Sequence, residues 1–103
     1  MSASNEKGYW LVTAVVTNPD GFQGYTAKAG PTIAKAGGKV LARGDVFEVV
    51  EGNSAGRPFV IEFPSYEAAT ACFESADYQE AIALREGHAT FDIVIAQGFT
   101  PSA

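Results

Sequence analysis

The chain has 103 residues, of which 47% are hydrophobic and 18% charged, with a formal net charge of −5. That is the length of one domain, and too apolar for a disordered chain. Its seven basic residues stand singly between Lys7 and Arg85; they form no cluster that would track a phosphate backbone, so no nucleic-acid partner is expected.

Tyr9 to Val16 (YWLVTAVV) reads as a strand, apolar on both faces. Asn18-Pro19-Asp20 is a helix start: a cap, a proline at the first helical position and an acid at the positive end of the dipole. Phe22, Tyr25, Ala29 and Ile33 then share one side. Gly30-Pro31 predicts a kink or restart, and Gly37-Gly38 the end. Lys39 to Arg43 is a short strand, Gly44-Asp45 a turn, and Val46 to Glu51 extended again.

After the loop Gly52 to Gly56, Arg57 to Phe63 (RPFVIEF) is the next strand. Ser65 caps a helix whose apolar stripe is Ala69, Cys72 and Phe73. Ser75-Ala76-Asp77 starts a second helical piece with Tyr78, Ile82 and Arg85 on one side, stopped at Gly87. Thr90 to Ala96 is the last strand. Residues 1–8 are expected to be a disordered tail, 9–98 the single domain and 99–103 a C-terminal tail.

This order predicts an α+β fold: a ferredoxin-like, split βαβ antiparallel sheet with its helices on one face. The strands 9–16 and 57–63 would be central. Helices cover only one face in such a layout, so the other should be polar. In 9–16 it is not, and a homodimer formed through that face is the expected remedy.

A run of short motifs, in order, carries a resemblance. They are Ala36-Gly37-Gly38-Lys39-Val40-Leu41-Ala42-Arg43-Gly44, then Val49-Val50-Glu51-Gly52, then Val60-Ile61-Glu62-Phe63-Pro64-Ser65-Tyr66-Glu67-Ala68-Ala69, then Tyr78-Gln79 and Leu84-Arg85. Over roughly residues 8 to 98 the chain resembles the domain-of-unknown-function family 1330. The resemblance implies a dimeric α+β barrel and no established activity. The chain departs from the usual family pattern at Asp45, at Cys72-Phe73 and at His88.

Glu62 is the sharpest chemical signal, a carboxylate inside an apolar strand. Such a group must be paired, hydrogen-bonded or shifted in pKa. It is the candidate general base, with an ion pair to Arg43 as the structural alternative. Arg43 follows apolar residues and suits a substrate carboxylate. Tyr66, Tyr78 and Arg85 are the remaining candidate substrate-binding residues, although such tyrosines more often serve packing and the helix dipole alone accounts for Arg85. His88 is expected in a solvent-facing turn, and Cys72 as an inert core residue.

One cysteine allows no intrachain disulfide and no cysteine-built zinc site. It fits a reducing cytoplasm, the expected location. No apolar run reaches the roughly 18 residues of a membrane span, and residues 1–8 have no signal-peptide core, so no membrane partner is expected. No dinucleotide fingerprint, Walker loop or nucleophile elbow occurs, so no cofactor is expected. The expected function is binding or transforming a small organic molecule in an apolar cleft, Glu62 and Arg43 forming its polar end. The alternative is a non-catalytic dimeric module in which those charges fix register.

Overall fold

The computed structural model describes residues 6–101. The tail expectations for residues 1–5 and 102–103 lie outside the described residues. Four strands and three helices follow in the order β1 (Gly8–Val16), α1 (Pro19–Lys35), β2 (Lys39–Ala42), β3 (Arg57–Phe63), α2 (Tyr66–Glu74), α3 (Ala76–Arg85) and β4 (Ala89–Gln97). The sheet is antiparallel throughout, in the order β2-β3-β1-β4. This is the ferredoxin-like α+β arrangement, with β1 and β3 central.

Helix α1 starts where its cap predicts. Asn18 accepts from the Gly21 amide at 3.2 Å, with Pro19 in the first turn. No restart occurs at Gly30-Pro31: one continuous helix spans 17 residues with Pro31 inside it. Pro31 leaves the Ala27 carbonyl without its helical donor, but both residues are exposed, so water can satisfy it. Ala29 and Ile33, on either side of the proline, are pinned in the core. The helix ends in a Schellman turn: Gly37 has φ +86°, and the Gly38 amide bonds to the Ile33 carbonyl at 2.9 Å.

Val46 to Glu51 is not a strand. It pairs with no strand among the described residues, and Val46 is 95% exposed. The β-forming residues there are overruled because no ladder partner lies beside them.

Ser75 separates α2 from α3. Its hydroxyl donates to the Cys72 carbonyl at 2.7 Å and accepts from the Tyr78 amide at 3.1 Å, closing one helix and capping the next. Below these helices Trp10, Phe63 and Tyr78 are the largest fully buried side chains. The Trp10 indole packs 5.0 Å from Phe63 and 4.9 Å from Tyr78, and its Nε1 donates to the Ala69 carbonyl at 2.9 Å. A buried indole N–H needs such a partner, and here it locks α2 onto β1.

Alternation divides the sheet residues cleanly. Trp10, Val12, Ala14, Ile61 and Phe63 are buried under the helices, with Phe59, Phe91, Ile93 and Ile95 beside them. The other face carries Leu11, Val15, Val60 and Val94 with Tyr9, Thr13, Glu62 and Asp92. No element among the described residues covers that face: Leu11 is 45% and its cross-strand neighbour Val94 59% exposed.

Candidate site: an apolar cavity between helix α1 and the sheet

Helix α1 lies against α3 and leaves a gap over the β2–β3 side of the sheet. The gap is a cavity of about 410 Å³, within the size range of small-molecule sites. From α1 it is lined by Phe22, Tyr25, Ala29 and Ile33, and from the sheet by Trp10, Val12, Val40, Phe59, Ile61 and Phe91. Its polar side chains are those of Tyr25, Thr26 and Tyr78, with Arg43 and Arg57.

The tyrosines form the closed end. Both rings are buried, and their hydroxyls lie 2.6 Å apart. One phenol donates to the other, so the acceptor's own hydrogen has no protein acceptor among the described residues. Burial pushes both phenols above their ordinary pKa. For Tyr25 the neighbouring Tyr78 adds to the rise; for Tyr78 the bond from Tyr25 and the charge of Arg85 pull the other way. Neutral hydroxyls at working pH are hydrogen-bond donors, not bases.

The arginines form the open end. Arg43 follows the last residue of β2 and Arg57 begins β3, so antiparallel pairing brings them together. Arg57 Nε donates to the Arg43 carbonyl at 2.8 Å, and its Nη2 to Asp45 Oδ1 at 2.7 Å. Arg43 reaches the same oxygen at 3.3 Å. Gly44, at φ +67°, makes the turn between them, and a Cβ there would strike the Pro58 carbonyl.

The sequence candidates fall in three places. Arg43 and Tyr78 line the cavity. Arg85 lies behind it, its guanidinium 4.1 Å from the Phe91 ring centroid and 5.2 Å from that of Tyr25, with Nη1 buried and without a hydrogen-bond partner. Glu62 and Tyr66 do not line it. Glu62 is on the opposite face of the sheet, because strand alternation sends it away from Ile61 and Phe63; there it accepts from the Tyr9 hydroxyl at 2.9 Å. The expected Glu62–Arg43 polar end is therefore corrected, both as a shared pocket and as an ion pair. Glu62 instead raises the Tyr9 pKa, first through this bond. Tyr66 sits in the first turn of α2, partly exposed.

His88 lies in the expected turn after Gly87, but it is only half exposed. It packs against Gly21, its Nδ1 is 3.2 Å from Asn18 Nδ2, and its carbonyl accepts from the Thr17 and Asn18 amides. Because Asn18 Oδ1 is occupied by the helix cap, its amide group must donate, which leaves His88 Nδ1 as the acceptor. His88 thereby ties the turn before β4 to the start of α1.

Tyr25 and Arg57 were not legible as site residues. Tyr25 reads as one more core aromatic of α1. Arg57 reads as a strand start; only the pairing of β2 with β3 would have placed it beside Arg43. No carboxylate, imidazole or thiol lines the cavity, and no group of three metal-ligating side chains occurs among the described residues.

The family model described as "Domain of unknown function (DUF1330)" matches residues 7–99. Among solved structures, the chain is similar to RPA0582, a protein of unknown function from Rhodopseudomonas palustris: TM-score 0.71, 20% identity, 95% of this chain and 86% of that one covered. It is also similar to SnoaB, a cofactor-independent oxygenase from Streptomyces nogalater: TM-score 0.59, 9% identity, 93% and 96% covered. At these identities the likeness is one of fold. No curated protein matches the chain. No helix among the described residues is long and apolar enough to cross a membrane.

Proposed function

The chain belongs to the DUF1330 family, and from that premise we propose that it is a homodimer whose protomers each bind a small, mostly apolar organic molecule between α1 and the sheet, without a bound cofactor. The observation that carries this reading is the cavity of about 410 Å³, apolar along its walls and polar at its two ends. Apolar walls supply affinity, and a few placed donors fix orientation. The spare hydroxyl hydrogen of the Tyr25–Tyr78 pair suits a ligand carbonyl or hydroxyl oxygen. The fold likeness to a cofactor-independent oxygenase fits such a ligand.

The dimer is supported by the uncovered face around Leu11, Val60 and Val94. A second copy buries it by an isologous contact. On that face the Tyr9–Glu62 pair favours a second role for Glu62, as a register-fixing group at the dimer contact and not a base.

The test is calorimetric titration with 2-naphthol, on wild type and on Val40→Trp. Val40 lines the cavity from an exposed edge strand, so a larger side chain there narrows the cavity at small cost to folding. Wild type is expected to bind and the variant to lose binding with its circular dichroism unchanged. Equal binding by both proteins removes the cavity as the site.

A further inference from the structure

We infer that the molecule held in this cavity is an organic acid, its apolar body between α1 and the sheet and its carboxylate at Arg43 and Arg57. The inference rests on the cavity reading above and adds the charge class of the ligand.

Three observations carry it. First, the open end holds two guanidinium groups that share one carboxylate oxygen, Asp45 Oδ1. Two cations and one anion leave an uncompensated positive charge there, in a chain whose net charge is −5. Second, this excess opens onto walls that are mostly apolar and carry no carboxylate of their own. A body that fills the apolar space and ends in an anion satisfies both regions at once. Third, one arginine is anchored and the other has free donors. Arg57 is fixed by its bonds to the Arg43 carbonyl and Asp45, and its guanidinium sits 5.3 Å from the Phe59 ring centroid. Arg43 makes only the longer contact to Asp45, which leaves most of its five N–H donors for a carboxylate.

Other cations of the molecule are placed differently. Lys28 is engaged by Asp77 at 3.6 Å and Glu80 at 3.1 Å, on the α3 side. Arg85 is screened from the cavity by the Tyr25 and Phe91 rings it stacks on. The acid end therefore belongs at the β2–β3 corner and not at the tyrosines, whose remaining donor suits a neutral oxygen.

The experiment compares 2-naphthoate, neutral 2-naphthamide and cationic 2-naphthylmethylamine by calorimetric titration at low and high salt. The proteins are wild type, Arg43→Gln, Arg57→Gln and Asp45→Asn. The acid is expected to bind roughly three- to tenfold more tightly than the amide, a preference that shrinks with salt because the arginines are partly exposed. Arg43→Gln and Arg57→Gln should bring the acid down to the amide's affinity and leave the amide unchanged. Asp45→Asn should move the acid the other way, to tighter binding, since it removes the competing carboxylate. Arg43 is exposed, so its variant reads binding without a folding penalty even if Arg57→Gln is destabilised. Equal affinity for acid, amide and amine overturns the inference while the cavity reading stands. An acid preference that survives Arg43→Gln and Arg57→Gln also overturns it, placing the anion elsewhere. Failure of all three probes to bind overturns both.

Discussion

The Tyr25 and Tyr78 hydroxyls meet at 2.6 Å beneath α1, joining the first helix to the third across the closed end of the cavity. Burial holds both phenols neutral and above their ordinary pKa. The native state therefore keeps protons that the unfolded chain releases near its unperturbed phenol pKa, roughly 10. Stability is fully present below that pH and falls as pH rises above it. Tyr25→Phe should cost about 1 kcal/mol at pH 7, from the lost hydrogen bond, and should flatten the alkaline decline. Thermal melts from pH 7 to 11 on both proteins check this; parallel curves would contradict it.

Cys72 adds to the same decline and has a readout of its own. It is buried beneath α2, 3% exposed, and burial pushes its thiol up to about 11. The folded protein holds this proton between about 9 and 11, where the unfolded chain does not, so the stability from this group is also lost as pH rises. The native thiol should resist a disulfide reagent at pH 8 and react fully in denaturant. Stoichiometric reaction within minutes under native conditions would show that the α2 packing is open.

Gly21 and His88 are coupled by contact. A Cβ at Gly21 would run into the His88 ring. Gly21→Ala in the wild type should destabilise by roughly 1–3 kcal/mol despite alanine's better helix propensity. In a His88→Ala background the same change should stabilise by about 0.5–1 kcal/mol, because only the propensity gain is left. Denaturant melts of the four proteins give the coupling, and additive effects would refute it.

The outer sheet face gives a test of association. Leu11 and Val94 are cross-strand neighbours there and both are exposed in the protomer. Val94→Lys should leave the fold intact and weaken the dimer by roughly a hundredfold or more, since each contact would bury an unpaired charge. Sedimentation measures it. Glu62→Gln, on that same face, should leave 2-naphthol binding unchanged. A wild type that sediments as a monomer at micromolar concentration would overturn the dimer, and lost naphthol binding in Glu62→Gln would return Glu62 to the cavity.

The local signals were legible because each depends on neighbours in sequence. Asn18, Ser65 and Ser75 cap the helices they precede, and the alternation of Arg57–Phe63 correctly sends Ile61 and Phe63 under the helices and Glu62 away from them. Whether Glu62 met Arg43 depended on a contact that only three-dimensional placement could grant or refuse. Gly30-Pro31 does not end the helix because Ala29 and Ile33, on either side of the proline, are held in the core, a packing contribution that local sequence does not show. Val46 to Glu51 misled because strand formation needs a partner, and sequence shows only the propensity.

Residue type and period were enough for the α+β class, the central pair of strands and the apolar residues Leu11, Val15, Val60 and Val94 on the outer sheet face. The tertiary structure decided which polar groups meet. It set Arg43 beside Arg57 through strand pairing, Tyr25 against Tyr78 through helix packing, and Glu62 with Tyr9 on the far face. Those meetings join residues 14 and 53 positions apart, and such distances are closed by the fold of the whole chain and by nothing local.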